Sequence, residues 1–450
     1  MSATPIAPAS IAPSKLSAAA NLLEFRLLVI LAFVVPVVEM PKNLFCVLVG
    51  VVWLFNRVKS RDFGGSWRAW DTVFLALIIA PVLVAAMAPI HHHEWRSIRD
   101  ILRFVGVGWV LSRSDFSLTQ IKIILLSALV GALFALGLGG VELAFGASKQ
   151  LELHSVGHVN HSAVYLVMAF GVAIAFTLVG FLTHPETTGT AAKLRTWRWF
   201  FLFCTVAFAA GLLIGASRIA VLAALVLGVL ICASAAWRSK LPIGLLALAT
   251  VIAAGAMWVA PPWLLQKHNR NVEHGNLLAN RDFLWSRAMT AFREYPVFGI
   301  GTGNFSQIHT PLFKQWRANQ GRKYEPTADF GSDHAHSVYF NTLAERGAVG
   351  LGVVLALFLA WFISVARYMP RWQVEAKTGE TEPELETAAL VWIIWVGALS
   401  GLTATAFVGL FNTTLQTENG VFCMILLGCW LSARRLQLEP TIPRWRIVWK

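Results

Sequence analysis

The chain has 450 residues, of which 56% are hydrophobic and only 14% charged, a balance that excludes an ordinary soluble globular protein. Its 19 Trp and 29 Phe against 5 Tyr suit a surface that faces lipid, with aromatic belts at the interfaces. The net charge of +13 sits mostly in short connections between apolar runs. That is the pattern of topology determinants and excludes a nucleic-acid-binding face.

In chain order, residues 1–22 are rich in Ala, Ser and Pro and lack the apolar stretch of a signal peptide, so they read as a disordered cytoplasmic tail. Apolar spans follow near 23–38, 43–57, 72–90, 97–113, 121–142, 160–182, 197–216, 218–237 and 241–260. A long polar segment, 261–346, separates these from spans near 347–368, 386–411 and 418–434, and a basic tail, 435–450, ends the chain. The expected fold is therefore all-α: a polytopic membrane protein of about 12 transmembrane helices, organised as spans 1–9 within 23–260, a large helical loop domain at 261–346, and spans 10–12 within 347–434. Lys and Arg recur in one alternate set of connections: Arg57 to Arg68, Arg113 to Lys122, Lys193 to Arg198, Arg238 with Lys240, Arg367 to Lys377, and Arg434 with Arg435. The positive-inside rule places that set and both termini in the cytoplasm. The 261–346 loop then faces the periplasm, and loops of that length tend to be functional.

Within the loop, Asn280 reads as an N-cap and Pro296 as a stop, with Leu284, Ala288, Ala291 and Tyr295 at helical spacing between them. This predicts an amphipathic helix able to lie on the membrane. Gly299-Ile-Gly-Thr-Gly-Asn304 follows with no preceding strand, so a turn is favoured over a phosphate cradle. His91-His-His93 reads as a solvated loop, and His154, His158 and His161 share helix-face spacing without an evident acidic partner. The five cysteines all fall in apolar spans with no CxxC spacing, so neither a disulfide framework nor a zinc site is indicated. No metal-binding acidic pair accompanies the candidate site residues, and no cofactor is implied.

Several residues invite chemistry. Arg218, beside Ser217, sits between two spans that leave little room for a loop, where a guanidinium can grip an anion bidentately; the competing reading is a snorkelling arginine. Arg281 opens the predicted loop helix, against the usual preference for acids there. Arg96, Arg99 and Arg103 line one helix face, either as a snorkelling cluster or as a holder of a phosphate-bearing lipid. His336, flanked by His334 and Ser337 just before a hydrophobic span, can take a proton from a hydroxyl.

Three islands give the chain a family resemblance: Ser217-Arg218, the Arg281–Asn304 block, and His336-Ser337 followed by nine residues to Gly347-Ala-Val-Gly350. Together they resemble the O-antigen ligase and polymerase superfamily, membrane glycosyltransferases of the GT-C type in bacterial envelopes. The family often has Asn after the histidine, where this chain has Ser337. The resemblance implies an inverting, metal-independent transfer at the periplasmic face of the bacterial inner membrane. The donor would be an undecaprenyl-pyrophosphate-linked glycan and the acceptor the outer-core sugar of lipid A-core, with membrane lipids as surroundings. It implies His336 as the catalytic residue and Arg218 with Arg281 on the pyrophosphate; Arg99, Arg103, Ser217, Ser337 and His334 are further substrate-binding candidates. Three other readings stand beside it. An O-antigen polymerase is one, though only one large outer loop is visible; a protein O-oligosaccharyltransferase is another, though the chain ends soon after its last span. A lipid-linked glycan transporter is the third, but it would need charge along a path through the bilayer centre.

Overall fold

The computed structural model describes residues 18–92, 94–182, 189–215, 217–236, 280–326, 329, 331–370 and 382–437. They form helices α1 (Ala18–Val34), α2 (Glu39–Ser60), α3 (Ala69–Met87), α4 (Glu94–Arg113), α5 (Leu118–Ala144), α6 (Val159–Leu182), α7 (Gly189–Thr196), α8 (Arg198–Ile214) and α9 (Arg218–Ala236). After these come α10 (Arg281–Glu294), α11 (Thr310–Asn319), α12 (Val338–Arg367), α13 (Glu382–Leu402) and α14 (Thr417–Gln437). Among the described residues the β pairing is confined to one isolated bridge, Leu153 with Gly157; the all-α expectation holds. Seven helices (α2, α3, α5, α6, α9, α12 and the 386–410 stretch beginning in α13) are long and apolar enough to cross a membrane, and α8 is apolar but shorter. The expected ninth span, 241–260, and the start of the long loop lie outside the described residues.

The centre of the bundle is α6, which packs against α8, α9, α13 and α14, while α4 lies along α14. α6 is apolar around its whole circumference and buries Tyr165, Met168 and Phe176 completely, as expected of a helix enclosed by others. It meets α13 at a point where a Cβ on Gly171 would lie 1.9 Å from Ser400 Oγ; only a glycine permits that separation. Close packing at small residues is the main attraction available to helices in lipid, where burial of apolar surface gives no advantage.

The two ends of the bundle differ in chemistry. At one end Arg113 pairs with Asp71 and donates to the carbonyls of Phe63 and Gly65, both at 2.9 Å. Arg435 joins it there, pairing with Asp115 and donating to Ser114 O at 2.8 Å. These belong to the basic set of connections. The other end of α4 begins at Glu94, whose carboxylate receives Asn304 Nδ2 at 2.9 Å. The 280–337 segment therefore sits at the end of the bundle opposite to the Arg113–Arg435 cluster.

That segment has a small core of its own. Leu284, Ala288 and Ala291 on α10 pack with Ile300, Phe305, Phe313 and Trp316, all buried. This corrects one expectation: the apolar face of α10 is covered by its own segment and does not lie on the membrane. The physical reason is local, because α11 folds back with Pro311 in its first turn and presents Phe313 and Trp316 to that face. An ion pair between Arg287 and Asp329 closes the lobe, with Tyr324 OH donating to Asp329 Oδ2 at 2.9 Å. Asp329, superficially part of an Asp-Phe-Gly triplet, is thus a structural anion.

Candidate active site

His336 precedes the N-terminus of α12. Ser337 is the N-cap, its hydroxyl accepting from Phe340 N and donating to Gly409 O at 3.3 Å. The preceding turn is fixed by Ala335 N, which donates to Asn341 Oδ1 at 3.0 Å. His336 itself has φ 47°, a conformation that non-glycine residues adopt only where the surroundings impose it. Among the described residues three non-glycines have positive φ: Arg61, Asn280 and His336. The last two are Arg281's neighbour and the histidine itself, so backbone strain collects around the residues singled out in the sequence. Asn280 does occupy the N-cap position of α10, but its side chain makes no capping bond.

Arg281, the first residue of α10, donates from Nε to Phe411 O at 3.0 Å. Burial first, then the charge of Arg218, hold its pKa below the usual guanidinium range, so the two arginines are neighbours. The same Arg281 charge bears on His336. Burial is the largest influence there, followed by His334, Arg281 and His158, and together they push the imidazole down to about 4. His336 is therefore neutral near pH 7, with its Nδ1 buried and meeting no protein partner among the described residues. Burial likewise lowers His334, against the opposing pull of Asp333. The ring of His334 lies 5.4 Å from that of His336 and 6.1 Å from that of His161, which is in turn 5.9 Å from His158.

Arg218, Arg281, His336 and His334 are thus brought together from α9, α10 and the turn before α12. Ser217 is buried at the start of α9. Arg99 and Arg103 are engaged elsewhere: Arg103 with Asp100 at 2.7 Å and Asn43 at 3.1 Å, and Arg99 with its own helix at Trp95 O. His154 does have an acidic partner, Glu142 at 2.9 Å. Among the described residues no three His, Cys, Asp or Glu side chains are grouped to hold a metal ion, and all five cysteines are free and buried.

The glycine-rich turn supports this cluster without entering it. Gly299, Gly301 and Gly303 all have positive φ, and the turn inserts into a kink of α12 where Gly347 takes φ 60°, ψ −158°. Ile300 N and Gly301 N donate to Ala344 O and Glu345 O at 3.0 and 2.9 Å, while Ala348 N donates to Pro296 O at 2.8 Å. Glu345 is buried here and its Oε1 accepts from Phe305 N at 3.3 Å. Its carboxylate is therefore engaged with the turn, and the charges bearing on His336 are those of His334, Arg281 and His158. The sequence gives no sign of Phe411, because a backbone carbonyl leaves no trace in residue type. Trp285 is the other unflagged neighbour: one turn along α10 from Arg281, its ring stacks on Phe340 at 5.0 Å and leans on Phe411 at 5.8 Å.

Comparison with known proteins adds the family. Residues 200–355 match the family model for O-antigen ligase, an interval that contains Arg218, Arg281, the glycine turn, His336 and Gly347–Gly350. A protein of Haemophilus influenzae described only as uncharacterized is 32% identical over 95 residues. That match covers 21% of this chain and 21% of the relative. The match supports the resemblance carried by the three islands, over residues 200–355.

Proposed function

We propose that the protein is an O-antigen ligase. It transfers a glycan from undecaprenyl pyrophosphate to the outer-core sugar of lipid A-core at the periplasmic face of the bacterial inner membrane, with inversion at the anomeric carbon. The observation that carries this reading is the place of Arg281: its Nε donates to Phe411 O at 3.0 Å, next to the Asn412 carbonyl that receives Val338 N, and its charge acts on both Arg218 and His336. Cations beside a neutral imidazole suit a reaction that releases a pyrophosphate and needs a proton removed from a hydroxyl.

In the proposed step the acceptor hydroxyl oxygen attacks the anomeric carbon from the face opposite the leaving group. Its proton passes to the imidazole of His336 as the new C–O bond forms. The bond from the anomeric carbon to the pyrophosphate oxygen breaks, and the electron pair leaves with that oxygen. Arg218 and Arg281 offset the charge that develops there, which is the larger share of catalysis when a leaving group departs as an anion. A pyrophosphate is already a good leaving group, so acceptor activation by His336 supplies the remainder, about 10²–10⁴ in rate.

The test is transfer by purified full-length protein supplied with lipid-linked glycan and, in separate reactions, lipid A-core, a second lipid-linked glycan, or a pilin. Product on lipid A-core with retention of function in the first arm only supports the ligase. Product on the second lipid-linked glycan would make it a polymerase, and product on pilin a protein glycosyltransferase.

A further inference from the structure

The connection from α13 to α14 is irregular. A π-helical turn over Thr403–Phe407 runs into a 3-10 turn over Val408–Leu410 and delivers Phe411 and Asn412 beside the proposed site. Such turns inside membrane helices recur where backbone must be diverted for function. Two consecutive carbonyls then hold the two halves of that site. Phe411 O accepts from Arg281 Nε at 3.0 Å, and Asn412 O accepts from Val338 N at 3.0 Å, two residues after His336.

The side chain of Asn412 anchors the residue at which the two peptides carrying these carbonyls meet. It is 2% exposed. Its Nδ2 donates to Asn160 O on α6 at 3.0 Å, and its Oδ1 accepts from Thr413 N at 2.9 Å. An amide buried with both ends engaged has one orientation, because releasing either end would leave a polar group without a partner. The enclosed helix α6 is thereby linked through Asn412 to the carbonyls that receive Arg281 and Val338.

We propose that Asn412 is a positioning residue for the transfer reaction, setting the separation between Arg281 and His336 by clamping the backbone over 411–413 between α6 and α12. This rests on the ligase reading given above. In an inverting displacement the leaving group and the incoming hydroxyl occupy opposite faces of one carbon. The groups that serve them must therefore be spaced correctly at the same moment, and a misplacement of about 1 Å costs about 10²-fold in rate. Arg281 and the start of α12, two residues after His336, are held by adjacent carbonyls of one short stretch, so a shift of that stretch moves both.

The experiment compares Asn412→Ala with Thr414→Val in purified full-length protein. Thr414 is fully buried and its hydroxyl donates to Thr405 O at 2.7 Å, so its variant loses a buried bond in the same connection but touches neither carbonyl. Asn412→Ala is expected to lose about 10²-fold in kcat per folded molecule with the donor KM little changed, and Thr414→Val to stay within roughly threefold of wild type. Because the effect acts through Arg281, adding Asn412→Ala to Arg281→Ala should cost far less than it does alone. Should the alanine variant not fold, Asn412→Asp keeps the Thr413 bond, loses the donor to Asn160, and carries the same expectation. Equal kcat losses at 412 and 414, or additive losses with Arg281→Ala, would overturn the proposal while leaving the ligase reading intact. Wild-type rates in His336→Ala would instead overturn the ligase reading, and the positioning role with it.

Discussion

Gly347 and Gly299 touch backbone to backbone: a Cβ placed on Gly347 would lie 2.7 Å from Gly299 N and 2.3 Å from Val297 O. The contact locks the glycine turn into the kink of α12, ten residues beyond the turn that presents His336. At φ 60°, ψ −158° the position is open to glycine alone, and another residue costs on the order of 1–3 kcal/mol before any clash. Gly347→Ala should therefore lower thermal stability and abolish transfer. Gly352→Ala, where a Cβ meets nothing within 4 Å, should leave both unchanged. Equal melting temperatures for the two variants would show that the kink is not needed.

The lobe formed by 280–337 depends on a buried ion pair. Arg287 and Asp329 are both almost wholly enclosed, and removing one partner leaves the other charge stranded, a loss of about 3–5 kcal/mol. Asp329→Ala should open the lobe to proteolysis without reducing the amount of protein inserted in the membrane. A cleavage pattern identical to that of wild type would contradict this.

Sidedness follows from the same lobe. If it faces the periplasm, a cysteine placed at the exposed Ser306 should react with a membrane-impermeant maleimide once the outer membrane alone is permeabilised. Reaction only after the inner membrane is breached would invert the topology and remove the proposed site from its substrates.

Much of the architecture was legible because a membrane reduces the problem to one variable. Long apolar runs must be helices, since no other local structure satisfies backbone groups in lipid; α5 and α6 lie close to where hydropathy places them, and α12 ends there but begins earlier, at Val338. The alternation of basic connections also has a physical counterpart in the gathering of Arg113 and Arg435 at one end. Arg218 and Arg281 were legible as charges in costly positions, and His336 as a titratable ring at the approach to a span. What partners α10 was not, because an amphipathic face reads the same against lipid or against Phe313 and Trp316. The roles of Glu345 and Phe411 were hidden for a different reason: each is defined by a hydrogen bond to backbone, which any residue type supplies.

The arginines make a separable prediction. A planar guanidinium offers two parallel donors to a phosphate and an ammonium does not, and each lost bond to a charged group is worth about 1.5–3 kcal/mol, or roughly 10–100-fold. Arg281 also needs Nε to reach Phe411 O, an atom lysine lacks. Arg281→Lys should therefore lose more donor affinity than Arg218→Lys, and neither should be fully active. Wild-type transfer by both would mean that any positive charge suffices there.

The pH dependence of transfer tests His336 directly. Burial and the neighbouring His334, Arg281 and His158 hold its pKa at about 4 against an ordinary 6.5. The sign follows: the ring remains a free base until the pH falls through about 4, so the acid limb of the rate profile should lie there and not near 6.5. Between those values the unfolded chain binds the proton and the folded one does not, so acidification across that window also weakens the fold. Because His334 is the largest charge influence on His336, His334→Gln should move the acid limb upward, toward 6.5, while keeping substantial transfer. His336→Ala should bind lipid-linked donor normally and lose about 10²–10⁴-fold in ligation, the share that a general base supplies, with no acid limb left in what remains. A profile whose acid limb is unchanged in both variants would assign the titration to another group, and near-normal ligation by His336→Ala would return this histidine to a purely structural place at the head of α12.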